Sequence, residues 1–243
     1  MAKMTMEQFV SQLRAAFGDD ALRAVVLYGS AAGGEHHAEH SDLNVLLIVH
    51  ELQASAVVKL GAVVRAWREA GNPAPLTLTE AEWRSSVDVF AMEHADMQER
   101  NKVLFAAPGY APFTGRLVKR SDVRHQLEFE AMATLLRVRT AMLEAAGDGK
   151  QGVALLAASI SRVQVLFRAL VRLAGDTPPV DRVELCRMAA ARAGFSPDAF
   201  VAAIEHRRGA VKVTEMKAGA VLEGYHAGLE RVVAYLDALP DEV

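Results

Sequence analysis

Cysteine is nearly absent from the chain, with one residue, Cys186, among 243. A lone thiol forms no internal disulfide, so a disulfide-stapled scaffold is excluded and a reducing cytoplasm is the expected location. Neither sign of charge dominates: 27 Lys and Arg stand against 30 Asp and Glu, for a net charge of -3. That balance argues against general nucleic-acid binding, whose surfaces are strongly basic. The sequence shows no apolar run near the roughly 18 residues of a membrane span, so no membrane association is expected. The opening MAKMTMEQFV lacks the long apolar segment of a secretory signal. Internal repeats and low-complexity tracts are missing too. What remains is a chain with 51% hydrophobic residues, ample for one large core or two smaller ones.

The first half reads as an α/β (α+β) arrangement. Thr5 with Gln8 forms a capping box, and Phe9, Leu13 and Phe17 then recur at helical spacing up to Gly18. Ala24 to Tyr28 and Leu43 to Val49 are apolar runs without polar alternation, as strands covered on both faces are. Val57, Val58, Leu60, Val63, Val64 and Trp67 mark one side of a helix that Gly71-Asn72-Pro73 stops. Leu76 to Thr79 is a third strand, Glu80 to Ser86 a short helix or turn, and Val89 to Met97 a fourth strand. Together they predict a mixed sheet with helices packed on it.

Beyond Pro108-Gly109-Tyr110-Ala111-Pro112 the character changes, and no strand is expected after Ser121. Helices are expected over Arg124 to Ala145, with Leu127, Leu135, Leu136, Val138 and Met142 near one face, and over Val153 to Ala174. Asp181 with Glu184, and Ser196 before Pro197, open two more. Leu222, Tyr225, Leu229, Val232, Val233 and Leu236 mark a last amphipathic helix. Gly219, Gly224 and Gly228 lie inside it and lower its helix propensity, so a close helix contact is expected to compensate. The boundary falls near 108–120, giving a sheet domain over 1–115 and an all-α helical bundle over 116–243. The apolar helical half can also form a homodimer.

The most informative stretch is VVLYGSAAGGEHHAEHSDLNVLLIV, residues 25–49. Gly29 lets the backbone approach a ligand closely, and Ser30 offers a hydroxyl and an N–H. A helix starting there would favour a phosphate at its N-terminus. Asp42 and Asn44 stand two apart at the start of a strand, so both side chains point to one side of the sheet. Two acids in that arrangement beside a phosphate cradle suit Mg²⁺, which links carboxylates to substrate phosphates.

Gly29-Ser30, eleven intervening residues, and Asp42-Leu43-Asn44 leading into an apolar strand resemble the nucleotidyltransferase superfamily of DNA polymerase beta. In style the pattern is similar to its small bacterial members of the kanamycin nucleotidyltransferase type. The resemblance implies a mixed-sheet domain followed by helices. It implies transfer of a nucleoside monophosphate from a nucleoside triphosphate, ATP first among them, to a hydroxyl of a small molecule or protein. Gly29 and Ser30 would hold the triphosphate, and Asp42, Asn44 and a third carboxylate would hold Mg²⁺. The chain departs from the family at Asn44, where a second acid is expected and asparagine offers only a neutral oxygen. The strand after the middle helix, Pro75 to Thr79, carries no acid either. Glu93 is the best substitute, as metal ligand or proton acceptor, ahead of Asp88 and Asp96. These departures leave a second reading open: a catalytically inactive member that senses nucleotide or binds a protein partner.

Other polar clusters have plainer explanations. His36, His37 and His40 lie in a glycine-linked loop that fixes no metal geometry. Arg120 and His125 have the Arg-x4-His spacing of helical HEPN-type ribonucleases, which an arginine-rich helix also produces by chance. His206-Arg207-Arg208 suits a helix C-terminus.

Overall fold

A computed structural model describes residues 4–18, 21–29, 31–32, 43–115 and 118–240. The chain forms two compact units, Met1–Val118 and Lys119–Val243. The first holds four helices and four strands among the described residues: α1 (Met6–Phe17), β1 (Leu22–Tyr28), β2 (Asn44–Val49), α2 (Ala54–Glu69), β3 (Leu76–Thr79), α3 (Glu80–Ser85), α4 (Ala91–Glu99) and β4 (Asn101–Ala106). The strands lie in the order β3-β2-β1-β4. β1 pairs antiparallel with both β2 and β4, whereas β2 pairs parallel with β3, so the sheet is mixed.

Each face of that sheet has its own core. Val25, Leu27, Val45, Leu47 and Val49 point to one side and pack with Phe9 and Leu13 of α1 and Leu60 and Trp67 of α2. Phe9 and Trp67 stack with ring centroids 4.2 Å apart. Ala24, Val26, Leu46 and Ile48 point to the other side, onto Trp83 of α3 and Met97 of α4. This double coverage explains why β1 and β2 read as continuous apolar runs. Local signals set the helix ends. Thr5 and Gln8 form the expected capping box, Gly18 ends α1 at φ 78°, and Thr79 with Glu82 forms a second box that opens α3.

The fourth strand differs from the sequence expectation. Val89 to Met97 is not a strand: its last seven residues belong to α4, and Val89 is exposed. The segment carries two Ala, two Met and a Glu, which favour helix, and Val89 is its single β-branched residue. The strand is β4 instead, on the outer side of β1, bulged where Val25 and Val26 oppose Phe105 and Val103.

The second unit is all helical among the described residues: α5 (Arg120–Ala145), α6 (Gly149–Leu173), α7 (Arg182–Ala193), α8 (Asp198–Arg208) and α9 (Glu215–Asp237). α6 is long and apolar enough to cross a bilayer by length and composition, contrary to the expectation that no such segment exists. Its apolarity has a local cause, since it packs against α5, α7, α8 and α9. Asp181 caps α7 by accepting from the N–H groups of Val183 and Glu184. Pro197 is already helical, at φ -73° and ψ -14°, and Ser196 Oγ accepts from the Asp198 N–H. Of the three glycines in α9, two sit at close contacts. A Cβ on Gly228 would fall 2.3 Å from Phe200 Cε2 and one on Gly224 would fall 3.1 Å from Ala199 Cβ, whereas Gly219 has open space. Leu136 is not on the core face of α5; it is half exposed.

Candidate active site

The register of β1 and β2 brings Gly29 and Asn44 to the same end of the sheet. Tyr28, the last residue of β1, pairs with Asn44, the first of β2. Gly29 follows with φ 79°, a left-handed conformation that costs an L side chain about 1–2 kcal/mol and glycine nothing. A Cβ placed on Gly29 would lie 3.6 Å from Asn44 Nδ2, so backbone turn and amide are in contact range. The Gly29 carbonyl accepts from the Ala32 N–H at 3.1 Å, closing a tight turn. Residues 31 and 32 are turn rather than helix. The Gly29 N–H donates to the Arg100 carbonyl at 3.2 Å and is therefore committed to the fold.

Ser30 and Asp42 lie outside the described residues, as do His36, His37 and His40. Asn44 sits two positions beyond Asp42 and is itself half-buried. It shares a sheet face with Leu46 and Ile48, and its cross-strand neighbour Tyr28 shares that face with Ala24 and Val26. This is the face that α3 and α4 cover.

Glu93 is on the first turn of α4, not on a strand as the sequence suggested, and it is exposed. Its position still points to this end of the sheet. Met97, one turn further along α4, packs into the core of the Asn44 face. The Tyr28 hydroxyl is held above its ordinary pKa, first by burial and second by the negative charge of Glu93. A carboxylate whose field reaches Tyr28 is thus brought near the Tyr28–Asn44 pair. Asp96 is half-buried on the same helix, and Asp88 lies in the turn before it.

Sequence reasoning passed over two residues here. Tyr28 adjoins Gly29 and falls on the Asn44 face by simple strand alternation, so the signal was present. Asn101 pairs with Tyr28 from β4 and donates to the carbonyls of Met97 and Gln98, tying α4 to the sheet. That position could not be found without the strand.

On the buried side of α4, His94 is stacked on Trp83 at 3.9 Å and hydrogen-bonded between Nε2 and Ser86 Oγ at 3.1 Å. Burial pulls its pKa down to about 4, so it is neutral at pH 7. Trp83 in turn donates to the Pro112 carbonyl at 2.6 Å. The group is a structural plug under the helix that carries Glu93.

For a metal, the described residues at this end supply one amide oxygen, from Asn44, and one carboxylate, from Glu93. Both are hard oxygen donors of the kind Mg²⁺ takes. Among the described residues, no group of three His, Cys, Asp or Glu side chains could hold a metal ion. In the helical unit, Arg120 donates to the Leu173 carbonyl at 2.5 Å, so it anchors the end of α6.

No protein-family model matches the chain, and no curated protein does. Among solved structures the chain is similar to spectinomycin adenyltransferase AAD(9) from Enterococcus faecialis, determined with ATP and spectinomycin. The identity is 11%, the TM-score is 0.58, and the match covers 92% of this chain and 98% of the other. A likeness at that identity is one of fold. The mixed sheet followed by helices is the fold this chain shares with that adenyltransferase.

Proposed function

We propose that the chain is a nucleotidyltransferase that moves a nucleoside monophosphate, AMP from ATP in the first instance, onto a hydroxyl of a small molecule. One observation carries the reading: the left-handed turn at Gly29 lies against Asn44, at the mouth of the two central strands. The likeness in fold to a protein determined with ATP and a small-molecule acceptor supports the same substrate classes.

In the proposed reaction the acceptor oxygen attacks the α-phosphorus of the triphosphate. The bond from that phosphorus to the bridging oxygen breaks, pyrophosphate leaves, and the hydroxyl proton passes to a carboxylate. Gly29 and Ser30 let the triphosphate approach the chain closely. Asp42 is the principal metal ligand, with Asn44 lending a neutral oxygen and Glu93 a second charge. Bound there, Mg²⁺ supplies electrostatic stabilisation of the charge that builds on the phosphate oxygens. Glu93 is the proposed proton acceptor where it is not a ligand. A protein hydroxyl is the alternative acceptor.

Asn44 favours a second reading, in which the site binds nucleotide without turning it over and the chain acts as a sensor or interaction module. Losing a carboxylate from a dication site weakens the ion's hold. Incubation with ATP, Mg²⁺ and a panel of hydroxyl-bearing small molecules, read by mass spectrometry, separates the two. One adenylyl group added to an acceptor, and lost in Asp42→Ala, supports the enzyme. ATP binding with no pyrophosphate released supports the sensor. Absence of both rejects both.

A further inference from the structure

α5 has two apolar sides. Val123, Leu127, Ala131, Leu135 and Val138 are buried inside the helical unit. On the opposite side Phe129, Met132, Leu136 and Leu143 are 72%, 41%, 51% and 80% exposed. With His125 and Thr140, also exposed, these positions recur every three or four residues and form one straight stripe along the helix. Its apolar members expose on the order of a few hundred Å² in total, the scale at which a patch marks an interaction surface.

The stripe is its own complement. Counted from Thr134, its members stand nine, five and two residues toward the N-terminus and two, six and nine toward the C-terminus. A two-fold axis over Thr134 therefore lays Met132 of one copy against Leu136 of the other and His125 against Leu143. That is the self-matching an isologous contact requires. The charges follow the same symmetry. Glu128 and Arg139 each precede a stripe residue by one position, so both lie on the same flank. In an antiparallel pair of helices each flank meets itself, which sets Glu128 of each copy beside Arg139 of the other. Neither side chain is fully buried: Glu128 is 30% exposed and Arg139 is 42% exposed. Within one copy they pair with Arg124 at 2.7 Å and with Glu230 at 2.6 Å, and both can share a second partner.

We propose that this face of α5 is an interface with a second copy of the chain, packed antiparallel about Thr134. The patch is smaller than the roughly 800 Å² per partner of a standard interface, so the dimer is concentration-dependent. Sedimentation of the 243-residue chain from low to high micromolar concentration tests it. The wild type is expected to rise in mass toward two chains. Leu136→Glu, and Met132→Glu at the facing position, are expected to stay monomeric with unchanged helical circular dichroism, because both sites are solvent-exposed. Glu128→Arg and Arg139→Glu are each expected to weaken the dimer several-fold, and the double reversal is expected to restore it. A wild type that stays monomeric throughout overturns the proposal. So does a dimer indifferent to Leu136→Glu, or a double reversal as weak as the single ones.

Discussion

Alanine at Gly228 should destabilise the helical unit, although alanine is the better helix former. A Cβ at this position would lie 2.3 Å from Phe200 Cε2 and 2.7 Å from its Cζ, where ordinary contacts exceed 3.4 Å. The ring would have to move by about 1 Å, and it has nowhere to go. Phe200 is fully buried, with Tyr225 at 4.5 Å, Phe167 at 5.1 Å and Phe195 at 5.2 Å between ring centroids. Overpacking of that kind costs about 1–3 kcal/mol. The gain in helix propensity offsets up to about 1 kcal/mol of it. Gly219 is the internal control, on the same helix with nothing within 4 Å. Gly219→Ala should keep the whole propensity gain and stabilise. Urea unfolding separates the two units, because both tryptophans, Trp67 and Trp83, belong to the sheet unit. The far-ultraviolet circular dichroism transition of the helices should fall for Gly228→Ala and rise for Gly219→Ala. The tryptophan fluorescence transition should stay in place. Equal shifts of the same sign for the two variants would refute the close-packing argument.

Three further outcomes are expected. His94 is neutral in the folded chain with a pKa of about 4 against an ordinary 6.5, so between those values the unfolded chain binds a proton that the folded chain refuses. Stability of the sheet unit should hold above pH 6.5 and fall as the pH drops toward 4, by up to about 3 kcal/mol at roughly 1.4 kcal/mol per unit. Tryptophan-detected urea midpoints across this range should show the slope, and His94→Gln should flatten it. Glu93→Gln should lower the pKa of Tyr28 in an ultraviolet phenolate titration without bringing it to the ordinary value, because burial is the larger cause; an unmoved Tyr28 would remove Glu93 from the site. Asn44→Asp should lower the Mg²⁺ concentration needed for half-maximal nucleotide binding several-fold, by adding a carboxylate to the dication site; an unchanged requirement would place residue 44 away from the ion.

Much of the fold could be read from the sequence because its signals were local. Thr5 with Gln8 announced a helix that the structure caps with both side chains, and Asp181 announced one that its own carboxylate caps. β1 and β2 declared themselves as apolar runs because both of their faces are covered. β4 did not, since Asn101–Ala106 is an edge strand with two exposed residues in its middle and lacks that signature. Helical composition in α4 competed with a short apolar run and prevailed. Leu136 misled because α5 is apolar on both sides, and periodicity alone cannot say which side faces the core. At the site, Gly29 and Asn44 were readable as a pair because strand register follows from alternation. Glu93 was expected on a strand and lies on α4, whose packing brings its charge to Tyr28.

The central claim is that the Gly29 turn and the start of β2 grip a nucleoside triphosphate with its cation. Calorimetric titration of the chain with a nonhydrolysable ATP analogue, with and without Mg²⁺, tests it most directly. Saturable binding that needs the ion, and that Asp42→Ala abolishes while leaving the circular dichroism unchanged, is the predicted result. A wild type that takes up no analogue, or an Asp42→Ala variant that binds as tightly as the wild type, would contradict it.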